Sequence, residues 1–171
     1  MPAGELRHTS PPPQPDTEQE EACLWAKIKE EAMSEAEAEP SLASFLYATI
    51  LSHSTLEGSL SFHLGNKLCC STLLSTLLYD LFLDAFSTDA DLRSATVADL
   101  RAARQRDPAC VSFSHCLLNY KGFLACQAQT ASFHLTFSLP KSAPSSPVLH
   151  LRSHSLLQAT CTMTDGASSV I

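Results

Sequence analysis

Residues 73–86, LLSTLLYDLFLDAF, decide the fold class. Leu73 and Leu74, Leu77 and Leu78, Leu81 and Phe82, and Ala85 and Phe86 return every three to four positions, which lays a double apolar row along one side of a helix. A strand would need alternation instead. Asp80 and Asp84 interrupt the run, so it does not read as a membrane span, which takes about 20 mostly apolar residues. A row this wide belongs to a central helix.

The same period continues outward. Upstream, Thr17 and Glu20 form a capping-box pair, and Trp25, Ile28 and Ala32 follow at helical spacing. That helix is expected to stop at Glu39, because Pro40 disfavours helical backbone in the residue before it. In SLASFLYATIL, residues Leu42, Phe45, Leu46, Thr49 and Ile50 make one stripe. Ser54 and Glu57 form a second capping-box pair, opening a helix with Leu60, Leu64 and Leu68 on one side and Gly65 as a weak point. Downstream, Thr88 is placed to cap a fifth helix, with Asp89 and Asp91 near its positive end and Arg101, Arg104 and Arg106 near its negative end. PACVSFSHCL reads as a loop. NYKGFLACQA reads as a last helix of about two turns. On it Tyr120, Phe123 and Leu124 share a face that a separate protein partner could use.

The expected fold is therefore all-α, an irregular bundle of five to six helices spanning residues 17–128. Residues 1–16 carry Pro2, Pro11, Pro12, Pro13 and Pro15 and read as a disordered lead-in. Residues 129–171 hold only three charged side chains, Lys141, Arg152 and Asp165, against 26 in the first 128. There Phe133, Leu135, Phe137 and Leu139 alternate with polar residues in a strand pattern that has no partner sheet. This tail is expected to be disordered or poorly packed.

The net charge of −7 argues against nucleic-acid binding, which needs a basic surface. The N-terminal MPAGELRHTSPPPQPDTEQEE lacks the apolar core of a signal peptide, and it is too acidic and too poor in arginine for a transit peptide. A cytosolic (cytoplasmic) location is expected. Cysteines stand at 23, 69, 70, 110, 116, 126 and 161, with no zinc spacing. They read as free thiols, mostly buried. His150 and His154 are four apart but have no HExxH glutamate, so no metal site is expected. Cys110, His115 and Cys116 lie close in sequence, which is weak ground for a thiol–imidazole pair, and Cys69-Cys70 reads as packing at a helix boundary. His53, His63 and His115 read as packing or surface histidines.

Asp107 is the residue this pattern leaves unexplained. The arginines before it suit a helix C-terminus, but an anion there is disfavoured. One account is a turn starter before Pro108. The other is a carboxylate held for a ligand.

The ordered combination EPSLASF, LGNKL, RQRDPA and YKGF resembles the N-terminal helical domain of serine O-acetyltransferases of the plant type, over about residues 18–128. The resemblance implies transfer of acetyl from acetyl-CoA to the hydroxyl of L-serine, the committed step of cysteine biosynthesis. It also implies a hexamer built as a dimer of trimers, with cysteine inhibiting at the serine site. By motif, Asp107 is the family's serine-binding aspartate. A carboxylate suits that role, since it can hold the substrate ammonium by a charge-assisted hydrogen bond.

The family's acetyl-CoA site and catalytic histidine lie in a second domain of hexapeptide repeats, and no such repeat follows residue 128. The expectation is a truncated chain with no catalytic residue, no bound cofactor and no activity alone. The alternative is a non-catalytic assembly module that self-associates or pairs with intact subunits. The chain ends in Ile171, as the family does where it docks on O-acetylserine sulfhydrylase. After a foreign tail that match reads as coincidence, and this docking is not expected.

Overall fold

The computed structural model describes Thr17 to Phe137, Thr72 excepted. The expectations for residues 1–16, His150, His154, Cys161 and Ile171 lie outside the described residues. Within them the chain is all-α: α1 Thr17–Ala38, α2 Pro40–Leu46, α3 Leu56–Leu68, α4 Ser75–Thr88, α5 Ala90–Arg106, α6 Phe113–Asn119 and α7 Lys121–Phe137. A π-helical turn, Tyr47–Leu51, extends α2. No described helix is long and apolar enough to cross a membrane.

Proline sets the first boundary as expected. α1 ends at Ala38, and Pro40 starts α2 at a position where its missing N–H costs nothing. Leu24, Trp25, Ile28 and Ala32 bury one side of α1, and the Trp25 indole donates to the Ser54 carbonyl at 2.8 Å. The caps differ from the expected ones. Glu20 pairs with Arg101 at 2.6 Å. Thr55 rather than Ser54 caps α3, its hydroxyl accepting the Gly58 N–H at 3.2 Å, while the Ser54 carbonyl accepts from Trp25. Asp89 caps α5 by accepting the N–H groups of Asp91 and Leu92, which leaves Thr88 as the last residue of α4.

α3 and α4 make the tightest helix pair. A Cβ built on Gly65 would lie 2.9 Å from the Ser75 carbonyl oxygen and 3.2 Å from the Tyr79 nitrogen. Gly65 is thus what lets two backbones meet. Leu60 and Leu64 of α3 and Leu78, Phe82 and Phe86 of α4 are fully buried there. The apolar row on α4 is narrower than its sequence implies, since Leu74 and Leu77 remain exposed. On the α2 stripe Leu46, Thr49 and Ile50 are buried, while Leu42 and Phe45 face solvent.

Two corrections concern the C-terminal part. The segment read as a loop contains α6, capped by Ser112, whose hydroxyl accepts the His115 N–H. The strand reading of Phe133 to Phe137 gives way to helix, because α7 runs unbroken to Phe137. Leu124, Ala128 and Ala131 are buried at helical spacing, with Leu135 packed against the same core. The His134 Nδ1 lies 2.8 Å from Asp89, tying the end of α7 to the start of α5. Phe123 and Leu124 are buried, so the partner face expected with Tyr120 does not exist.

Candidate functional site

Asp107 stands at the C-terminal end of α5, with extended backbone at φ −102°, ψ 108°. Helix and turn fix it from both sides. Its N–H donates to the Ala103 carbonyl at 3.0 Å, and its carbonyl accepts the Cys110 N–H at 3.0 Å, closing a four-residue turn through Pro108. Its Oδ1 accepts the Ala109 N–H at 2.8 Å, the Asx arrangement that aspartate favours in turns. Its Oδ2 accepts the Tyr120 hydroxyl at 2.8 Å. The turn account therefore has a structural basis in both the backbone and Oδ1. One oxygen shapes the turn, and the other is oriented by a side chain thirteen residues away.

Tyr120 sits at the junction of α6 and α7. Its ring meets the His115 ring edge-on, with centroids 5.6 Å apart. Desolvation, followed by the bond to Asp107, pushes its phenol well above the ordinary tyrosine range, so it stays a donor at neutral pH. Each oxygen of an ionised carboxylate can accept about two hydrogen bonds. One bond to each leaves Asp107 the capacity to receive an ammonium.

The surroundings hold this turn in place. Arg104 donates to the Cys110 carbonyl at 2.8 Å. Ser112 and Ser114, at the start of α6, both donate to Glu35 Oε1, at 3.0 and 2.6 Å, and the Ser114 N–H donates to Glu31 Oε2 at 3.0 Å. Acidic residues of α1 thus complete the positive end of α6. The arginines do more than decorate a helix end: Arg101 binds Glu20 and Arg104 clasps the turn, while Arg106 is exposed.

No thiol–imidazole pair forms. Cys116 faces Cys110, and burial pushes its thiol up to about 12. The His115 Nδ1 is buried without a hydrogen-bond partner. Among the described cysteines only Cys110 and Cys116 are buried, whereas Cys23, Cys69, Cys70 and Cys126 are exposed. His53 and His63 have values lowered first by burial, and His63 Nε2 donates to the Leu118 carbonyl at 3.0 Å. Among the described residues no cluster of three or more His, Cys, Asp or Glu is arranged to hold a metal ion. Tyr120 is the site residue that sequence reasoning missed. Its only signal was its place as the first residue of the YKGF motif.

Comparison with known proteins bears on this geometry. The family model for the N-terminal region of serine acetyltransferases matches residues 24–128. Serine acetyltransferase 5 of Arabidopsis thaliana is 62% identical over 154 residues, covering 78% of this chain and 49% of the relative. A probable serine acetyltransferase 1 of Oryza sativa subsp. japonica is 66% identical over 117 residues, covering 68% of this chain and 39% of the relative. The chain spans about half or less of the length of these relatives. Soybean serine acetyltransferase complexed with serine superposes with a TM-score of 0.75 at 61% identity, over 88% of this chain and 57% of that one.

Proposed function

Because the chain belongs to the serine acetyltransferase family, we propose that its helical part supplies the ammonium-binding side of an L-serine O-acetyltransferase site. Asp107 is the group that holds the substrate ammonium. The observation that carries this reading is the two-point fixation of its carboxylate by the Ala109 N–H and the Tyr120 hydroxyl, both at 2.8 Å. A carboxylate fixed in this way meets an ammonium with little further ordering, and such charge-assisted bonds are stronger than neutral ones. The reaction it would serve moves acetyl from acetyl-CoA to the serine hydroxyl.

That reaction also needs a base for the hydroxyl proton and donors for the developing oxyanion. Each described histidine has a packing or polar contact of its own, although His53 Nε2 and His115 Nδ1 have no hydrogen-bond partner. His53 and His63 pack, His115 lies edge-on to Tyr120, and His134 binds Asp89. We assign no base among the described residues, and our expectation is that the 171-residue polypeptide by itself releases no CoA thiol when serine and acetyl-CoA are supplied.

The test grafts residues 17–137 in place of the matching part of the soybean enzyme. Asp107→Asn should raise the serine KM about 10- to 100-fold, the loss of a charged hydrogen bond of about 1.5–3 kcal/mol. The acetyl-CoA KM should not move. An unchanged serine KM would remove the reading.

A second reading, assembly with like subunits, is favoured by the exposed Met33, Leu42, Phe45 and Tyr47 on α1, α2 and the π-turn. Co-purification of the chain with an intact family subunit supports it, and separate elution opposes it.

A further inference from the structure

Far from Asp107, the starts of α1, α3 and α5 meet the end of α4 around one arginine. Arg93 Nη1 donates to the carbonyls of Phe86 and Ser87, at 2.9 and 3.0 Å. Its Nε faces two carboxylates, Glu57 Oε1 at 3.6 Å and Glu21 Oε2 at 3.8 Å. Both carboxylates are only 17% exposed. Both ion pairs are longer than a good hydrogen bond, and one cation cannot fully offset two part-buried anions. Glu57 Oε2 is buried and accepts no hydrogen bond from any fixed donor.

We propose that Glu21 and Glu57 share a single proton, and that this proton clips the first turns of α1 to the start of α3. Two ionised carboxylates are acceptors only and repel. With a proton on one of them the two carboxyls can join through an O–H···O bond in place of repelling. The pair then carries one negative charge, which Arg93 balances. The other charged group facing it is Glu18 of α1, whose negative charge also favours the proton, while α4 contributes only carbonyls.

The electrostatics agree with the geometry. Burial, followed by the hydrogen bond and charge of Glu57, raises the Glu21 carboxyl from 4.5 to about 7 against the opposing pull of Arg93. Folding thus takes up a proton between those values. The stability it brings is complete below the ordinary value of 4.5 and is lost as pH rises through about 7. The clipped helix also carries Glu31 and Glu35, which hold the start of α6 beside the Asp107 turn.

Carbon-13 NMR titration of the side-chain carboxyls in the 171-residue chain tests this directly. One resonance of the pair should titrate with a midpoint near 7, and the thermal midpoint should fall between pH 5 and 8.5. Glu21→Gln can donate its amide hydrogen to Glu57 at every pH, so it should flatten that fall. Full ionisation of both carboxyls by about pH 5.5 overturns the proposal, as does an undiminished pH dependence in Glu21→Gln. If that variant does not fold, the wild-type titration decides alone.

Discussion

α3 against α4 and α1 against its neighbours solve the same packing problem by opposite means. The first pair closes on apolar side chains around a glycine contact, with Leu60, Leu64, Leu78, Phe82 and Phe86 fully buried. α1 buries Leu24, Trp25, Ile28 and Ala32 as well, but its edges are fastened by polar ties: Glu20 to Arg101, Glu31 and Glu35 to the start of α6, and Glu21 to the Glu57–Arg93 group. Apolar packing does not respond to protonation or to charge screening. Polar ties answer to both.

Substitutions can break or sharpen this contrast. The largest effect is expected at Phe82, where truncation to alanine should destabilise the chain by about 3–5 kcal/mol. Chemical denaturation would measure it, and the loss should not vary with salt. Gly65→Ala comes next. Its new methyl must displace the backbone of Ser75 or Tyr79, so a loss of about 1–3 kcal/mol is expected, typical of overpacking. A smaller loss would mean that α4 can slide along α3. The smallest effect is expected at Glu20. Its ion pair with Arg101 is part-exposed, and Glu20→Ala should cost about 0.2–1 kcal/mol at low salt and less in 1 M sodium chloride. A salt-independent loss there would assign the contact to packing rather than charge.

Legibility in sequence followed the same division. Large apolar residues at helical spacing announced α1 to α4, the charges at its two ends announced α5, and Pro40 marked a boundary correctly. Short or small-residue elements did not announce themselves. α6 is seven residues long and carries only a serine cap and a brief apolar run. The first half of α7 was read as helix, but its second half hid behind alternating residues: Phe133, Leu135 and Phe137 alternate, and the stripe that decides its conformation includes Ala128 and Ala131, whose small side chains weigh little in a pattern. Tertiary burial overrode local preference there. At the site, Asp107 was visible as an anion where helix electrostatics disfavour one. Its partner Tyr120 was not, because a hydrogen bond across thirteen residues leaves no periodic trace.

Trp25 is the single tryptophan of the chain, 7% exposed, with its indole N–H bound to the Ser54 carbonyl at the entrance to α3. The joint between the polar-fastened helix and the apolar pair therefore contains the protein's only indole chromophore. Any event that parts α1 from α3 would wet this ring and shift its emission to the red, so the seam can be watched optically without attaching a label.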